Sequence, residues 1–515
     1  MIAPIAAENV WTRFRSVAST RPDHPAVVCT SENWTFRQVA ERAAAVAARL
    51  VAANVTAPQR VLLWADNSPQ LAAALLGVFA VGGVAVFIPA DAPPSHLNHA
   101  AKITSAALCL ADAPRIDAKA PVSMRLLEEF ASPSSADPGS YAGPDTPGLP
   151  ASILFTSGST GLPKGVVQPH SNLLIGCDTV SSYLRYKDAD RIVCPIPWAF
   201  DYGYGQLLST LCRGLTHILP AAANPFALCD AIASHSATVL PGLPSWFAYL
   251  FRGVSPIKSA KLSTIRLVTN TGGTIPAGVL DDMMIAFEHA DIVLNYGLTE
   301  TYRSTSLPPS LLKAHRNSIG RAIPGVDILI VREDGRIAGP GEEGEIVHRG
   351  NGVFLGYWGN TEATEKTLRA DPLLPPEAPN AKALYTGDLG YKDDEGFVYF
   401  RGRRDHQLKS MGVRVSPGEV EAILHHTRLL RHVAVFGLPH EFIGDAVMCA
   451  FEPMPGEADV VTKLQTHARK GMSPYMQPRE YFLFETLPKT PSGKIDYVAI
   501  RRICREKSNF VRPKG

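Results

Sequence analysis

Ten consecutive residues, 156–165, have the composition of a loop that holds phosphate groups. They follow the apolar run 153–155, which predicts a strand, and they combine three glycines, four hydroxyl residues and one lysine. Glycines let main-chain N–H groups approach a ligand, hydroxyls donate hydrogen bonds, and lysine supplies positive charge. Pro163 before the lysine excludes a Walker loop, and the alternative is a polar surface loop. The candidate phosphate contacts are Thr156, Ser157, Gly158, Ser159, Thr160, Gly161 and Lys164.

A second cluster, 295–300, follows the predicted strand 292–294. Ligands of parallel α/β sheets bind beyond the carboxyl ends of the strands, which is where this cluster would lie. It offers an amide, a flat aromatic ring, a glycine and a carboxylate that could bind a metal ion. A polar turn before a capped helix is the alternative. The candidate residues are Asn295, Tyr296, Gly297, Thr299 and Glu300.

Two isolated acids are candidates for binding polar ligand groups. Asp201 is flanked by Phe200 and Tyr202, and no basic residue occurs between Cys194 and Cys212. A buried carboxylate needs a cationic partner, or its pKa rises, so the partner of Asp201 could be a ligand. An acid at a helix N-terminus is the alternative, and the residues alone leave the two open. Asp388 lies in the turn 385–388, where a solvated turn is the alternative.

The predicted elements indicate an α/β fold with a largely parallel sheet. Thr35 can cap a helix whose apolar residues recur at helical spacing over 36–50, and strands are predicted at 60–65 and 105–111. Helices alternate with strands as far as about residue 300, which is typical of crossover connections. Short strands with glycine-rich turns follow from about residue 318 and predict a small antiparallel subdomain. The polar run 401–405 predicts a boundary between a domain at 1–404 and another at 405–515.

Length and composition limit the classes of function. The chain has 515 residues, enough for two or more domains, and a net charge of +2, which gives no general attraction to nucleic acid or membrane. Its eight cysteines form no close pair, so we expect reduced thiols and a cytoplasmic protein. An acid at Glu8 predicts that no signal peptide is present. The uncharged segment 67–90 is divided by Gly82 and Gly83, which favours buried α/β structure over a membrane span.

Five stretches, in order, resemble the adenylate-forming superfamily of acyl-CoA synthetases, adenylation domains of nonribosomal peptide synthetases, and luciferases. The resemblance covers residues 34–496, and the matching stretches are 156–165, 295–300, 385–388, 402–412 and 491–496. It implies a large N-terminal domain of two α/β lobes plus a small β-barrel, and a mobile α+β C-terminal domain. It also implies ATP and Mg²⁺ as cofactors. The acid would become an acyl-adenylate, and coenzyme A or phosphopantetheine would accept the acyl group.

The resemblance also implies roles for individual residues. The glycine-rich loop would hold the β- and γ-phosphates, and Lys494 would contact the α-phosphate and the acid's carboxylate. At the nucleotide, Tyr296 would stack on adenine, with Gly297 beside it, and Asn295 would bond its edge. The remaining implied roles are Mg²⁺ ligation by Glu300, phosphate contact by Thr299, ribose contacts by Asp388 and Arg403, a hinge at Asp405, and a thiol tunnel at Lys409 and Gly412.

The substrate is open between two classes of acid. Phe200-Asp201 resembles amino-acid-activating members, in which the aspartate binds the substrate ammonium. Tyr202-Gly203 departs from most of those members, and the pattern over 200–203 resembles both free-standing prolyl-type ligases and some acyl-CoA ligase-like proteins of polysaccharide gene clusters. We therefore expect an amino acid passed to a separate carrier protein, with a CoA ligase for an uncharged fatty or aryl acid as the alternative. A catalytically silent binding protein is disfavoured by Lys494, Glu300 and Asp388. The candidate substrate pocket comprises Asp201, Phe200, Tyr202, Gly272 and Gly273.

Overall fold

The computed structural model describes residues 8–115, 121–156, 163–260, 262–375, 377–378, 381–404, 408–411, 413–440, 443–490, 493–508 and 510. Three predicted features therefore lie outside the described residues. They are most of the glycine-rich loop (Ser157, Gly158, Ser159, Thr160 and Gly161), the hinge residue Asp405 and the tunnel residue Gly412.

The described residues form strands and helices in the alternating order expected of an α/β protein. The strands are β1 (Pro25–Val28), β2 (Asn33–Thr35), β3 (Arg60–Trp64), β4 (Val84–Ile88), β5 (Leu108–Ala111), β6 (Met124–Leu126), β7 (Pro150–Thr156), β8 (Lys164–Pro169), β9 (Arg191–Val193), β10 (Thr216–Ile218), β11 (Val239–Gly242), β12 (Leu267–Asn270), β13 (Asp291–Tyr296), β14 (Thr305–Leu307), β15 (Arg321–Ala322), β16 (Val326–Val331), β17 (Gly344–Gly350), β18 (Gly356–Tyr357), β19 (Leu368–Ala370), β20 (Lys382–Lys392), β21 (Val398–Arg403), β22 (Leu408–Ser410), β23 (Val413–Val415), β24 (Leu430–His440), β25 (Gly444–Pro453) and β26 (Glu480–Leu483). The helices are α1 (Val10–Thr20), α2 (Phe36–Ala52), α3 (Pro69–Ala80), α4 (Pro94–Thr104), α5 (Leu127–Phe130), α6 (His170–Tyr183), α7 (Asp201–Arg213), α8 (Pro225–His235), α9 (Pro244–Arg252), α10 (Ala277–Ala286), α11 (Thr361–Thr367), α12 (Pro417–His425), α13 (Val460–Gly471) and α14 (Tyr497–Lys507).

Two large sheets form the two α/β lobes. One has the order β18-β8-β7-β4-β3-β5-β6, and its strands β7, β4, β3, β5 and β6 run parallel. The other has the order β15-β14-β13-β12-β11-β9-β10-β1-β2, and its six central strands run parallel. These are β13, β12, β11, β9, β10 and β1. Because parallel neighbours end at the same edge, the turns after β12 and β13 lie side by side. That edge is where the sequence predicted ligand contacts.

Helices α2 and α3 show how the apolar pattern of the sequence becomes the core. Thr35 and Gln38 exchange hydrogen bonds in a capping box, so α2 begins where the sequence predicted. Each residue of α3 except Gln70 is buried, and β4 after it is buried throughout. The uncharged segment 67–90 is therefore interior structure. Among the described residues, no helix is both long and apolar enough to cross a membrane.

Two smaller sheets complete the fold. The antiparallel sheet β16-β17-β20-β19, with β21 beside β20, corresponds to the predicted glycine-rich subdomain. The sheet β23-β22-β25-β24, with β26 beside β25, carries helices α12, α13 and α14. The predicted fold class, an α/β protein with two α/β lobes, a small β-barrel and an α+β C-terminal unit, is confirmed, and the predicted barrel takes the form of the five-stranded antiparallel sheet that contains β16. The mobility of the C-terminal unit stays a prediction. The boundary near residue 404 stays a prediction.

Candidate active site

In the turn after β12, at the edge of the large sheet, the main chain adopts positive φ angles. Gly272 has φ of +84° and Gly273 has φ of +152°, values that residues with a side chain rarely adopt. A Cβ on Gly272 would lie 3.6 Å from Cε and 4.0 Å from Nζ of Lys494. The glycine therefore makes room for a lysine that comes from the C-terminal unit. The predicted catalytic lysine thus reaches the carboxyl ends of the strands.

Lys494 lies in a turn that its own main chain closes. The N–H of Thr490 donates to the Lys494 carbonyl at 2.7 Å. Asp496 then caps α14, its Oδ1 accepting from the N–H groups of Val498 and Ala499. The turn and the helix start fix the lysine's main chain, which leaves its long side chain to extend to Gly272.

A carboxylate, a phenol and a guanidinium meet beside this edge. The Tyr296 hydroxyl donates to Asp388 Oδ2 at 2.6 Å, and Arg403 Nη1 lies 3.1 Å from Asp388 Oδ1. The pairing of β20 with β21 places Asp388 directly opposite Arg403. Burial raises the pKa of Tyr296, and the charge of Asp388 raises it further, so the phenol stays a donor. The structure therefore brings together three residues that lie far apart in the sequence.

Tyr357, which the sequence analysis did not single out, contacts both Lys164 of the predicted phosphate loop and Glu300. Its hydroxyl donates to Glu300 Oε1 at 2.7 Å, while the ammonium of Lys164 lies 5.2 Å from the centre of its ring. Strand β18, which carries Tyr357, pairs with β8, which begins at Lys164. Burial and the Glu300 carboxylate both raise the pKa of Tyr357. One ring thus orients the carboxylate and covers the lysine.

Two residues of the 295–300 cluster have contacts that define their surroundings. The carbonyl of Thr299 accepts from Gln168 Nε2 at 2.7 Å, which fixes the main chain next to Glu300. Asn295 is buried, and its Nδ2 donates to the carbonyls of Asn270 and Val293, while its Oδ1 accepts from the Tyr183 hydroxyl. Both amide hydrogens of Asn295 are thus used within the protein. The adenine contact that we expected from Asn295 is not favoured by this geometry, because its donors are already engaged.

Asp201 differs in two respects from the expectation of a buried acid without a basic partner. It is the first residue of α7, and 29% of its side chain is exposed. Nη1 of Arg303 lies 3.7 Å from Asp201 Oδ2, so the protein itself supplies a cation. A carboxylate in the first turn of a helix is also stabilised by the helix dipole. The segment between Cys194 and Cys212 holds no base, and the base comes instead from the turn after β13.

Arg303 is the main site residue that the sequence analysis missed. Its side chain is 4% exposed, and its guanidinium lies 4.8 Å from the Tyr202 ring and 5.8 Å from the Tyr302 ring. Burial lowers its pKa, but Tyr183 and Asp201 raise it, and the net shift is upward. It therefore stays charged. The sequence offered one signal for Arg303, which lies three residues after Glu300. A polar cluster at the end of a strand continues into the turn that follows, so the residues of that turn were also candidates.

The other predicted pocket residues surround the same region. Phe200 is the residue before α7, and Tyr202 is buried with its hydroxyl 2.5 Å from Thr269 Oγ1. Thr269 lies on β12, two residues before the turn that contains Gly272 and Gly273. Lys409 lies on β22, opposite Arg414 of β23 in the main-chain pairing. The structure therefore collects the candidate acid pocket around one edge.

The side chains at this edge could hold a magnesium ion only together with a bound ligand that supplies further oxygen atoms. Among the residues that the structure describes, no group of three or more His, Cys, Asp and Glu side chains is placed to hold a metal ion. Glu300 supplies one carboxylate. Magnesium ions that accompany nucleotides bind one or two protein carboxylates together with phosphate oxygens and water. The donor set is therefore of the type that holds a metal–phosphate complex.

Two protein-family models together match most of the chain. The model of the AMP-binding enzyme family matches residues 14–358, and the model of the AMP-binding enzyme C-terminal domain matches residues 419–494. Tyrocidine synthase 3 of Brevibacillus parabrevis is 27% identical over 495 residues, which are 95% of this chain and 8% of that protein. A long-chain-fatty-acid–CoA ligase of Bacillus subtilis (strain 168) is 29% identical over 365 residues, which are 70% of this chain and 62% of that enzyme.

Comparison with solved structures confirms the fold. The o-succinylbenzoate CoA synthetase of Bacillus subtilis, solved with the acyl-adenylate OSB-AMP, superposes with a TM-score of 0.83. The two share 22% sequence identity, and the match covers 95% of this chain and 97% of that one. The chain spans between 8% and 36% of the length of four of the curated relatives that it matches.

Proposed function

Because the chain belongs to the AMP-binding enzyme family, we propose that it joins a carboxylic acid to a thiol in two steps that consume ATP. In the first step the carboxylate attacks the α-phosphorus of ATP, and pyrophosphate leaves with the electron pair of the broken P–O bond. In the second step a thiolate attacks the acyl carbon, and AMP leaves. Relatives that are CoA ligases or peptide synthetases, and a neighbour solved with an acyl-adenylate, support this assignment.

The observation that carries the proposal is the place of Lys494. Attack of a carboxylate on a phosphate brings two anions together, so the transition state needs positive charge at that point. Lys494 comes from the C-terminal unit, yet its ammonium lies against Gly272 at the ends of the parallel strands. In this arrangement the lysine can contact both the acid's carboxylate and the α-phosphate. The structure therefore corresponds to a state suited to the first step.

We assign the nucleotide's other contacts to the residues around that edge. Asp388 and Arg403 would bind the ribose hydroxyls, and Tyr296 would present its ring to adenine while its hydroxyl orients Asp388. Glu300 would ligate the Mg²⁺ that accompanies ATP, with Thr299 beside the phosphates. Mg²⁺ would neutralise phosphate charge during the displacement. Lys164 and the preceding glycine-rich loop would hold the β- and γ-phosphates.

The second step needs a thiol at the same site. We assign entry of a phosphopantetheine arm or coenzyme A to the segment Lys409–Gly412, after a rotation at Asp405 that withdraws Lys494. A carrier protein and free coenzyme A both remain as acceptors, since relatives of both kinds match the chain. Such a reaction suits the cytoplasm, where thiols are reduced.

The structure bears on which of the two candidate classes of substrate, an amino acid or an uncharged acid, fits the site better. The expectation of an amino acid rested on the resemblance of Phe200-Asp201 to amino-acid-activating members and on an Asp201 without a cation, and Arg303 weakens the second of these grounds. A substrate ammonium at Asp201 would share the carboxylate with a guanidinium and be repelled by it. An acid without an ammonium group at this position is therefore the better candidate.

Pyrophosphate exchange into ATP, measured over panels of amino, fatty, aryl and hydroxy acids, tests the proposal. Lys494→Ala should lower exchange about 100-fold or more, because it removes charge that stabilises the transition state. Thioester formation from a preformed adenylate should persist. Lys463→Ala is the matched control, because Lys463 lies on α13 and pairs with Glu457 away from the site. Absence of exchange with every acid would refute the proposed function.

A further inference from the structure

The pair formed by Asp201 and Arg303 is incomplete as an ion pair. The closest approach that the structure gives, 3.7 Å between Nη1 and Oδ2, is too long for a hydrogen bond. Of the five N–H donors of Arg303, the described residues engage one in a hydrogen bond within 3.5 Å, from Nη1 to the carbonyl of Tyr302 at 2.5 Å, and the Tyr183 hydroxyl interacts with the guanidinium at longer range. Buried guanidinium groups usually use most of their donors, because burial without hydrogen bonds is costly.

The carboxylate has unused capacity as well. Among the described residues, no donor makes a hydrogen bond within 3.5 Å to the oxygens of Asp201, although a carboxylate can accept several. The side chain is 29% exposed, so its oxygens are accessible from solvent. The Arg303 guanidinium and the Asp201 carboxylate thus lie close together without forming a hydrogen bond to each other.

The surroundings fix this pair near the place where the acid would react. The ring of Tyr202 lies against Arg303, and its hydroxyl contacts Thr269 of β12. The turn after β12 leads to Gly272, against which Lys494 lies. A Cβ on Gly297 would be 2.9 Å from Cα of Arg303, so the arginine's main chain is held against the nucleotide cluster. An acid with its carboxylate at Lys494 would therefore extend toward Asp201 and Arg303.

We propose that Asp201 and Arg303 together select a carboxylic acid that carries a hydroxyl group. This inference rests on the proposed function and names the substrate class of its acid pocket. A hydroxyl is at once a donor and an acceptor, so it can donate to the Asp201 carboxylate and accept from the Arg303 guanidinium. It completes both without adding charge to a buried pair that is already neutral.

The other substituents fit the pair less well. An ammonium group can donate to Asp201 but is repelled by Arg303, and it cannot accept a hydrogen bond. A second carboxylate can accept from Arg303 but is repelled by Asp201. An unsubstituted chain leaves both groups unsatisfied, and a site built to bond a hydroxyl strongly rejects the analogue that lacks it.

Matched sets of acids test the inference in the pyrophosphate exchange assay. One set is 4-methylpentanoic acid with its 2-hydroxy and 2-amino derivatives. A second is benzoic acid with its 2-hydroxy and 2-amino derivatives, and a third is butanoic acid with its 3-hydroxy and 3-amino derivatives. Succinic acid represents the dicarboxylates. In at least one set the hydroxy acid should exceed both relatives about 100-fold in kcat/KM, because the analogues leave buried groups unpaired.

Variants separate selection by the pair from a general effect on the fold. Arg303→Met should lower kcat/KM for the hydroxy acid about 100-fold and raise that for the matching amino acid about tenfold, since Asp201 then lacks its cation. KM for ATP should change less than about twofold. Arg303→Lys keeps the charge without the fork, and its loss should be intermediate. Arg316→Met is the control, because Arg316 pairs with Asp281 at the surface.

Each possible outcome either supports the inference or overturns it. A preference for the hydroxy acid that reverses toward the amino acid in Arg303→Met supports the inference. If the native enzyme prefers amino, dicarboxylic or unsubstituted acids, the inference is wrong while the proposed function stands. Equal loss with every acid in both Arg303→Met and Arg303→Lys would show a structural role and also overturn it. Absence of exchange with every acid would refute the proposed function together with the inference.

Discussion

Asp388 illustrates how a single buried carboxylate can be prepared for a ligand. It is 3% exposed, and both of its oxygens have partners, Tyr296 on one side and Arg403 on the other. Removing a charge from water is costly, so a carboxylate at this depth needs such partners to stay ionised. A ribose hydroxyl that donates to Asp388 would find the group already oriented. In the proposed function, Tyr296 would therefore position Asp388 for the nucleotide as well as present its ring to adenine.

We expect Tyr296→Phe to raise KM for ATP about tenfold and to change kcat less. The variant keeps the ring but removes a hydrogen bond to a charged group, a contact that contributes about 1.5–3 kcal/mol, and about 1.4 kcal/mol corresponds to a factor of ten. Steady-state kinetics with varied ATP measures the effect. Tyr399→Phe is the control, because the Tyr399 hydroxyl donates to Asp393 outside the site. An unchanged KM would show that the hydroxyl does not position Asp388 for nucleotide.

The residues that the sequence identified and those that it missed differ in one physical respect. Glu300 and Asp388 became candidates because each belongs to a short polar stretch that is visible in the sequence, whereas Lys494 needed the resemblance to a family. Asp388 lies within β20 and not in the turn that the sequence predicted, because its main chain pairs with β21. Arg303 was missed because its partner, Asp201, lies on another element, and only the folded sheet brings the two together. The partners of Asn295 could not be read from the sequence for the same reason, since Asn270 and Tyr183 lie on β12 and α6; its adenine contact stays a prediction.

At the scale of elements, Glu421 joins three parts of the C-terminal unit. It lies on α12, and its Oε1 accepts from the N–H of Val435 on β24 and from the hydroxyl of Tyr497, the first residue of α14, both at 2.7 Å. Burial raises the pKa of Glu421 to about 7, although these two hydrogen bonds lower it. Because α14 begins just after the Lys494 turn, this contact also supports the turn.

The pKa of Glu421 predicts a pH-dependent stability. In the unfolded chain the group titrates near 4.5, and in the folded protein near 7. The folded state therefore binds the proton more tightly, and its stabilising effect is full below pH 4.5 and is lost as the pH rises through 7. Glu421→Gln keeps the acceptor oxygen and has no proton to lose. We expect its Tm to equal that of the native protein near pH 5 and to exceed it near pH 8.

Thermal unfolding followed by circular dichroism between pH 5 and pH 8 measures this difference. Glu419→Gln, an exposed change on the same helix, is the control and should show no such pH dependence. The other ionisable groups are the same in both proteins, so their contributions cancel in the comparison. A Tm difference that is constant with pH would contradict the raised pKa of Glu421.

At the scale of the whole molecule, a few contacts join the C-terminal unit to an α/β lobe and to the antiparallel sheet. The guanidinium of Arg431, on β24, lies 5.3 Å from the centre of the Tyr249 ring on α9. The Ser416 hydroxyl, just before α12, donates to the carbonyl of Arg401 on β21. These contacts accompany the position in which Lys494 reaches Gly272. They therefore stabilise the arrangement that we assign to adenylate formation.

We expect Tyr249→Leu to slow adenylate formation about twofold to fivefold, because a cation–π contact at a partly exposed site contributes about 0.5–1 kcal/mol. Transfer from a preformed adenylate to a thiol should be unchanged or faster, since we assign that step to a different arrangement. Single-turnover measurements of each step separate the two. Tyr391→Leu is the control, because Arg401 covers that ring within the antiparallel sheet. Equal slowing of both steps would contradict a role in the balance between arrangements.

The shared contact of Asp201 and Arg303 also bears on how such a chain can diverge over generations. Replacing either residue alone leaves the other as a buried charge without its partner, which is generally unfavourable. Replacing both restores neutrality, so the double change should be tolerated better than the sum of the single ones. Descendants that adopt a new acid would then change the two positions in close succession. The nucleotide contacts, which lie on other side chains, would be free to stay as they are.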